Sequence, residues 1–148
     1  MRFYSIVIPV YNRPEEIKEL LESLTKQTYK NFEVVVVEDG SKDSAEAIVK
    51  SFSQRLSIQY FYKENTGQGL SRNYAYERAL GDYFIVFDSD CIIPTQYLQT
   101  VEDRLNSDYL DAFGGPDRAD ASFTPVQKAI SYSMTSLLKP LFIFWYQP

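Results

Sequence analysis

Tyr83-Phe84-Ile85-Val86-Phe87-Asp88-Ser89-Asp90 is the stretch on which the reading of this chain turns: apolar and aromatic residues run straight into two carboxylates separated by one serine. A short β-branched and aromatic run of this kind reads as a strand buried on both faces, as strands of a parallel sheet are. It delivers its acids at its C-terminal end, and in open α/β sheets that edge is where ligands bind. Two carboxylates this close raise one another's pKa unless a cation stands between them. A hard divalent ion with oxygen ligands, Mg²⁺ or Mn²⁺, answers that need. The alternative is an exposed acidic turn after a core strand.

Outward from this stretch the chain alternates strands and helices. Residues 3–10 read as a first strand, and Pro14 opens a helix whose Ile17, Leu20, Leu21 and Leu24 form one apolar stripe behind Glu15 and Glu16. Four consecutive valines mark 32–37 as a second strand buried on both faces, ending at Glu38-Asp39-Gly40-Ser41. A helix over 44–52 and a strand over 58–62 follow. A turn-rich loop, Lys63 to Gly69, leads to a helix over 70–80, broken by Gly81-Asp82 before the opening stretch. Beyond it the pattern predicts a helix over 95–105, a strand over 109–113 and a helix over 126–138. The expected fold is α/β, a doubly wound and mostly parallel sheet with right-handed crossovers. If the first strand lies beside the fourth, the order is 3-2-1-4, and the winding reverses where Pro9 to Arg13, Glu38 to Ser41 and Asp88 to Asp90 open together.

The chain has 148 residues, 15 Lys and Arg against 20 Asp and Glu, and no histidine. A net charge of -5 disfavours a sequence-independent grip on nucleic acid. The lack of histidine removes histidine-based acid/base and zinc chemistry and leaves a carboxylate as the general base. One cysteine, Cys91, excludes an internal disulfide framework and reads as a small buried residue in a reducing compartment. No signal peptide is expected, and the apolar tract 140–146 is far below the roughly 20 residues that cross a bilayer.

Ile6-Val7-Ile8-Pro9-Val10-Tyr11-Asn12, then Glu38-Asp39-Gly40-Ser41, then Asn65-Thr66-Gly67 with Ser71-Arg72-Asn73, then Asp88-Ser89-Asp90, together resemble the nucleotide-binding half of family 2 glycosyltransferases with the GT-A fold. The four blocks come in the family's order and cover about the first 95 residues; the resemblance loosens through Gly114-Gly115-Pro116-Asp117-Arg118. It implies transfer of a sugar from a nucleotide diphosphate to an acceptor hydroxyl, with a divalent metal and inversion at the sugar. It further implies that Pro9, Tyr11, Asn12, Arg13, Asp39, Gly67, Arg72, Asp88 and Ser89 bind the donor nucleotide and that Asp90, with Asp88, holds the metal. Residues 1–95 would be the nucleotide and metal core of a single domain, and 96–148 the start of an acceptor side, for a saccharide or lipid-linked acceptor. Cell-envelope polysaccharide assembly, a cytoplasmic setting and the inner membrane face come only from this resemblance.

The residues fit those roles chemically. Asp39 can accept the ring N–H of uracil, which cytosine and adenine lack at that edge, whereas guanine stays possible. Tyr11 offers an aromatic face, with Pro9 fixing the backbone beneath it, and Arg72 a flat multidentate donor for base or diphosphate. Plainer roles stand beside these: Tyr11 as one of 12 tyrosines filling a core, Asn12 and Arg13 as helix caps, Glu38 as a solvated strand end, Gly67 and Gly69 as turn glycines, Arg72 as a surface cation, Asp117 and Asp120 as loop acids. No acidic pair ahead of an aromatic helix follows Asp90, so the general base is expected outside this chain, which reads as a donor-binding fragment. Its apolar tail, 137–146, would then pack on further sequence or on a second copy, and peripheral membrane association is a separate expectation. Two other functions share some of these features: a non-catalytic sugar-nucleotide binding module, and a phosphatase with an Asp-x-Asp nucleophile.

Overall fold

The computed structural model describes residues 1–112, 114, 124–126 and 128. Its elements are β1 (Tyr4–Val10), α1 (Pro14–Thr25), β2 (Phe32–Asp39), α2 (Glu46–Ser51), β3 (Ile58–Lys63), α3 (Gln68–Tyr76), β4 (Tyr83–Val86) and α4 (Tyr97–Ser107). All four strands are parallel and lie in the order β3-β2-β1-β4. The expected doubly wound α/β sheet is therefore present, with its reversal between β1 and β4. Two compact units divide the chain, Met1–Tyr109 and Leu110–Pro148. In the second, Lys128 N–H donates to Thr124 O, and little else of it is described.

Residue type accounts for the two central strands. Every residue of β1 and β2 is buried, and Val34 to Val37 are 0% exposed, as β-branched side chains filling both faces of a covered sheet should be. Ile17, Leu20, Leu21 and Leu24 of α1 are likewise fully buried. On the other face of the sheet α3 sets Ala75 against Val7, Val35 and Val37, with Phe61 and Tyr74 closing the cluster. The alternation of neighbours along β2 assigns the faces: Glu38 meets the start of α2 and Asp39 the start of α3.

Several expectations are corrected. β4 is not buried on both faces, because Phe84 and Val86 are 38% and 49% exposed; α3 packs chiefly on β1 and β2 and reaches this strand through Tyr76 on Phe84. The third helix stops at Tyr76 rather than continuing to residue 80. Buried side chains capture the chain there instead: Leu80 N–H donates to Glu33 Oε1 at 2.6 Å and Gly81 N–H to Ser5 Oγ at 2.8 Å. Residues 109–112 form no strand, Phe113 lies outside the described residues, and so does most of the helix expected over 126–138. Cys91 is partly exposed.

Glu38 is the largest correction. Far from a solvated strand end, it is 0% exposed. Its carboxylate accepts the Ala45 backbone N–H at 3.0 Å, the Ser44 hydroxyl at 2.9 Å and the Tyr60 hydroxyl, tying the start of α2 and β3 to β2. Burial pushes its pKa up, but these donors outweigh burial and hold it below the usual carboxylate range. Glu38→Ala strands these donors in the interior and should lower unfolding free energy by about 2–3 kcal/mol, read from urea denaturation.

Candidate functional site

At the C-terminal edge of the sheet, a single cleft is lined by Pro9, Val10, Tyr11 and Arg13 after β1, Asp39 at the end of β2, Gln68 at the start of α3, and Asp88, Ser89 and Asp90 after β4. Parallel pairing is what gathers them, since Pro9 lies opposite Val37 and Val7 opposite Val86. Tyr11 is 48% exposed, so it is a cleft aromatic and not a core one. Ser89 is buried. Asp88, Ser89 and Asp90 are held from both sides: Phe87 N–H donates to Val7 O at 3.1 Å, and Ile93 N–H to Ser23 Oγ of α1 at 3.0 Å.

Asp39 is 3% exposed and organises the cleft wall. Its Oδ1 accepts Lys63 Nζ and, at 2.9 Å, the Thr66 backbone N–H; its Oδ2 accepts the Gly67 N–H at 2.8 Å. Burial would raise its pKa, but Lys63 and the two backbone donors reverse that and lower it. The turn between has no room for a side chain. Gly40 has φ of 71°, and a Cβ there would stand 2.6 Å from Asn65 N. Gly67, at φ of 92°, turns the chain into α3 while pointing its N–H at Asp39.

Asn12, Gly67 and Arg72 adjoin the cleft without lining it. Asn12, at φ of 51°, spends its side-chain oxygen on the Lys42 and Asp43 N–H groups, at 2.7 and 3.2 Å, joining the loops after β1 and β2. Neither it nor Arg13 caps α1 through its side chain; Arg13 pairs with Asp90 instead. Arg72 Nη2 donates to Asp88 Oδ1 at 2.8 Å, and its buried Nε has no acceptor. Asp117 and Asp120 lie outside the described residues, as does the 137–146 tail.

Sequence reading missed Lys63 and Gln68. Lys63 had a signal: in a parallel sheet ordered β3-β2-β1, it is the residue opposite Asp39. Its Nζ also donates to Glu64 O at 2.8 Å and to Thr66 Oγ1 at 2.5 Å, so one partly buried cation gathers the loop that leads to α3.

The donor set bears on a divalent ion. Among the described residues no three His, Cys, Asp or Glu side chains converge as a cage. Asp88 and Asp90 are two hard oxygen donors beside open space, which suits an ion that takes one or two carboxylates from protein and the rest from phosphate and water. Among the described residues, too, no helix is long and apolar enough to cross a membrane.

A parallel 3-2-1-4 sheet with an acid-lined cleft at its switch point is an α/β domain of the GT-A kind. The sequence matches the family described as Glycosyl transferase family 2 over residues 5–146, and the chain belongs to that family. It is 43% identical over 102 residues to an uncharacterized glycosyltransferase of Rickettsia conorii, a match covering 69% of this chain and 17% of that protein. It is 37% identical over 102 residues to glycosyltransferase GlyA of Streptococcus pneumoniae, covering 68% of this chain and 15% of GlyA. Among solved structures, Staphylococcus aureus TarS 1-349 in complex with UDP-GlcNAc aligns with a TM-score of 0.70 at 30% identity, over 78% of this chain and 37% of that one. The mannosyltransferase PcManGT of Pyrobaculum calidifontis shares the fold, with a TM-score of 0.65 at 24% identity, over 73% of this chain and 33% of that one. The chain thus spans less than a third of the Rickettsia conorii protein and of GlyA.

The Asp39 clasp makes a prediction about pH. A carboxylate whose folded pKa is lowered stabilises the fold above its unfolded pKa, near 3.9, and that stability is lost as pH falls through the folded value. Wild-type stability should therefore hold steady from about pH 8 to 5 and decline below about pH 4. Lys63→Met leaves the buried carboxylate unpaired and should cost about 3 kcal/mol at pH 7. Its deficit, read from urea unfolding, should shrink as pH falls and Asp39 takes up a proton.

Proposed function

We propose that this chain is the donor-binding part of a glycosyltransferase that takes its sugar from a nucleoside diphosphate, a UDP-sugar in the first instance, with Mg²⁺ or Mn²⁺. The observation that carries this is the meeting of Tyr11, Asp39 and the Asp88-Ser89-Asp90 turn in one cleft at the sheet's switch point. The known complexes of the similar TarS domain with UDP and UDP-GlcNAc support the choice of nucleotide.

Asp39 is equipped to read the base. Its Oδ1 takes two donors and its Oδ2 one, which leaves an acceptor direction at Oδ2 for the N–H of uracil. Cytosine brings an acceptor to that edge and would leave two acceptors face to face. Tyr11 supplies a half-exposed ring for the base, with Pro9 and Val10 behind it. Asp88 and Asp90 would hold the ion, Asp90 being the more direct ligand, and Ser89 keeps the turn between them closed. When bound, the ion supplies Lewis-acid stabilisation to the departing nucleoside diphosphate.

Inversion requires a carboxylate to take the proton of the acceptor hydroxyl, and none is assigned here. We place that base, and most of the saccharide or lipid-linked acceptor site, in sequence that the larger relatives have beyond the segment matched here. In this reading residues 1–95 form the nucleotide core and 96–148 begin the acceptor side, the protein works on cell-envelope polysaccharide at the cytoplasmic membrane face, and the apolar tail packs on further sequence or a second copy. A phosphatase nucleophile is not favoured, because the Asp-x-Asp turn follows the fourth strand and the first 80 residues belong to the same family match. A purely non-catalytic module has no observation of its own.

Calorimetry tests the donor site. UDP should bind in Mn²⁺ about ten- to a hundredfold tighter than CDP, the range that an unpaired buried polar group of about 1–3 kcal/mol produces. Asp90→Ala should abolish the Mn²⁺-dependent part of UDP binding; equal affinity of that variant and wild type in Mn²⁺ would remove Asp90 from the metal site.

A further inference from the structure

Two arginines stand against the two cleft carboxylates. Arg13 Nη1 donates to Asp90 Oδ2, and Arg72 Nη2 donates to Asp88 Oδ1 at 2.8 Å. Both pairs are open to water, with side chains 48% and 51% exposed in the first and 38% and 54% in the second. Beyond Asp90, the Arg13 side chain makes no cap hydrogen bond on α1, although its backbone begins that helix. Arg72 has a further reason to seek an anion: its buried Nε–H has no acceptor.

We propose that Arg13 and Arg72 exchange counter-ions during donor binding. In the free chain they rest on Asp90 and Asp88; with donor and divalent ion present, the ion takes the carboxylates and the arginines turn to the diphosphate. This rests on the donor-site reading above and adds to it an order of events.

Charge makes the exchange a concerted one. Two guanidinium groups and two carboxylates sum to zero, and so do a divalent ion and a sugar-nucleotide diphosphate, which bears about two negative charges. An ion entering alone must part Arg13 from Asp90 and leave a guanidinium bare beside a dication. A diphosphate entering alone draws off the arginines and leaves two carboxylates bare beside phosphate. Each half-step separates like from unlike charge, whereas the joint step leaves every charge paired. Ion and diphosphate therefore bind with positive coupling, and the coupling is reciprocal. The planar fork of arginine suits diphosphate oxygens as well as it suits a carboxylate, so the second state is as well hydrogen-bonded as the first.

Removing Arg13 separates the two halves. Mn²⁺ binding is followed by the electron paramagnetic resonance of the free ion, for wild type and Arg13→Gln, first without nucleotide and then with saturating UDP. Without nucleotide, Arg13→Gln should bind Mn²⁺ about three- to fivefold tighter than wild type, the scale of one exposed ion pair. UDP should tighten Mn²⁺ more than about tenfold in wild type and by a factor several times smaller in the variant, the span of a modest coupling energy. An unchanged urea midpoint shows that the variant folds. Nucleotide-free Mn²⁺ binding by Arg13→Gln no tighter than wild type would overturn the exchange. Wild type that binds UDP in neither EDTA nor Mn²⁺ would overturn the donor-site reading instead, while the nucleotide-free comparison still decides whether Arg13 competes with the ion for Asp90.

Discussion

The structure depends on β1 pairing in parallel with β2 on one side and β4 on the other. Parallel pairing sends every strand's C-terminal end to the same edge, and here β2 ends in Glu38 and Asp39 while β4 runs into Asp88 and Asp90. Left alone, four acids at one edge would repel one another and unfold it. The rest of the local architecture gives each a partner: hydroxyls and an N–H for Glu38, a lysine and two N–H groups for Asp39, one arginine each for Asp88 and Asp90. A cleft rich in polar groups at a switch point follows from sheet direction plus this need for partners.

Adjacent residues on β2 show how the two-residue period divides labour. Glu38 points to the α2 face, where it is closed off from solvent and serves to tie α2 and β3 to the sheet. Asp39 points to the α3 face, where the same strand end opens on the cleft. At the other end of β2, buried Glu33 accepts from Ser5, Gln59 and the Leu80 N–H, so α3 is released early and the chain directed into β4. Acids at both ends of an otherwise apolar strand thus hold its neighbours in place, and the valines between supply the hydrophobic burial.

What could be read from sequence was what depends on periodicity and direction. The valine run of β2, the stripe of α1 and the alternation of elements led to the 3-2-1-4 order, and that order brought Tyr11, Asp39 and Asp90 to one edge. What could not be read depended on neighbours far along the chain. Glu38 looks solvated by type, and only the placement of Tyr60 and Ala45 shows otherwise. The Phe84 and Val86 side chains have strand character, but which faces are covered is decided by where α3 lies. Lys63 read as the first residue of a loop, and only the register sets it across from Asp39 at the end of β3. Residues 109–112 form no strand, since intrinsic preference for strand is a weak guide beside context.

Three ion pairs at one sheet edge have the same chemistry and different standing, and solvent makes the difference. Lys63 and Asp39, with side chains 15% and 5% exposed, cannot part without leaving a charge in a poorly solvated place. That pair belongs to the fold and fixes the loop leading into α3. The Arg13–Asp90 and Arg72–Asp88 pairs are half in water, where a partner can be traded for another at a cost of about 1 kcal/mol or less. Water therefore sorts the cleft into a buried wall, held by Lys63 and Asp39, and a solvated floor whose two ion pairs are individually weak.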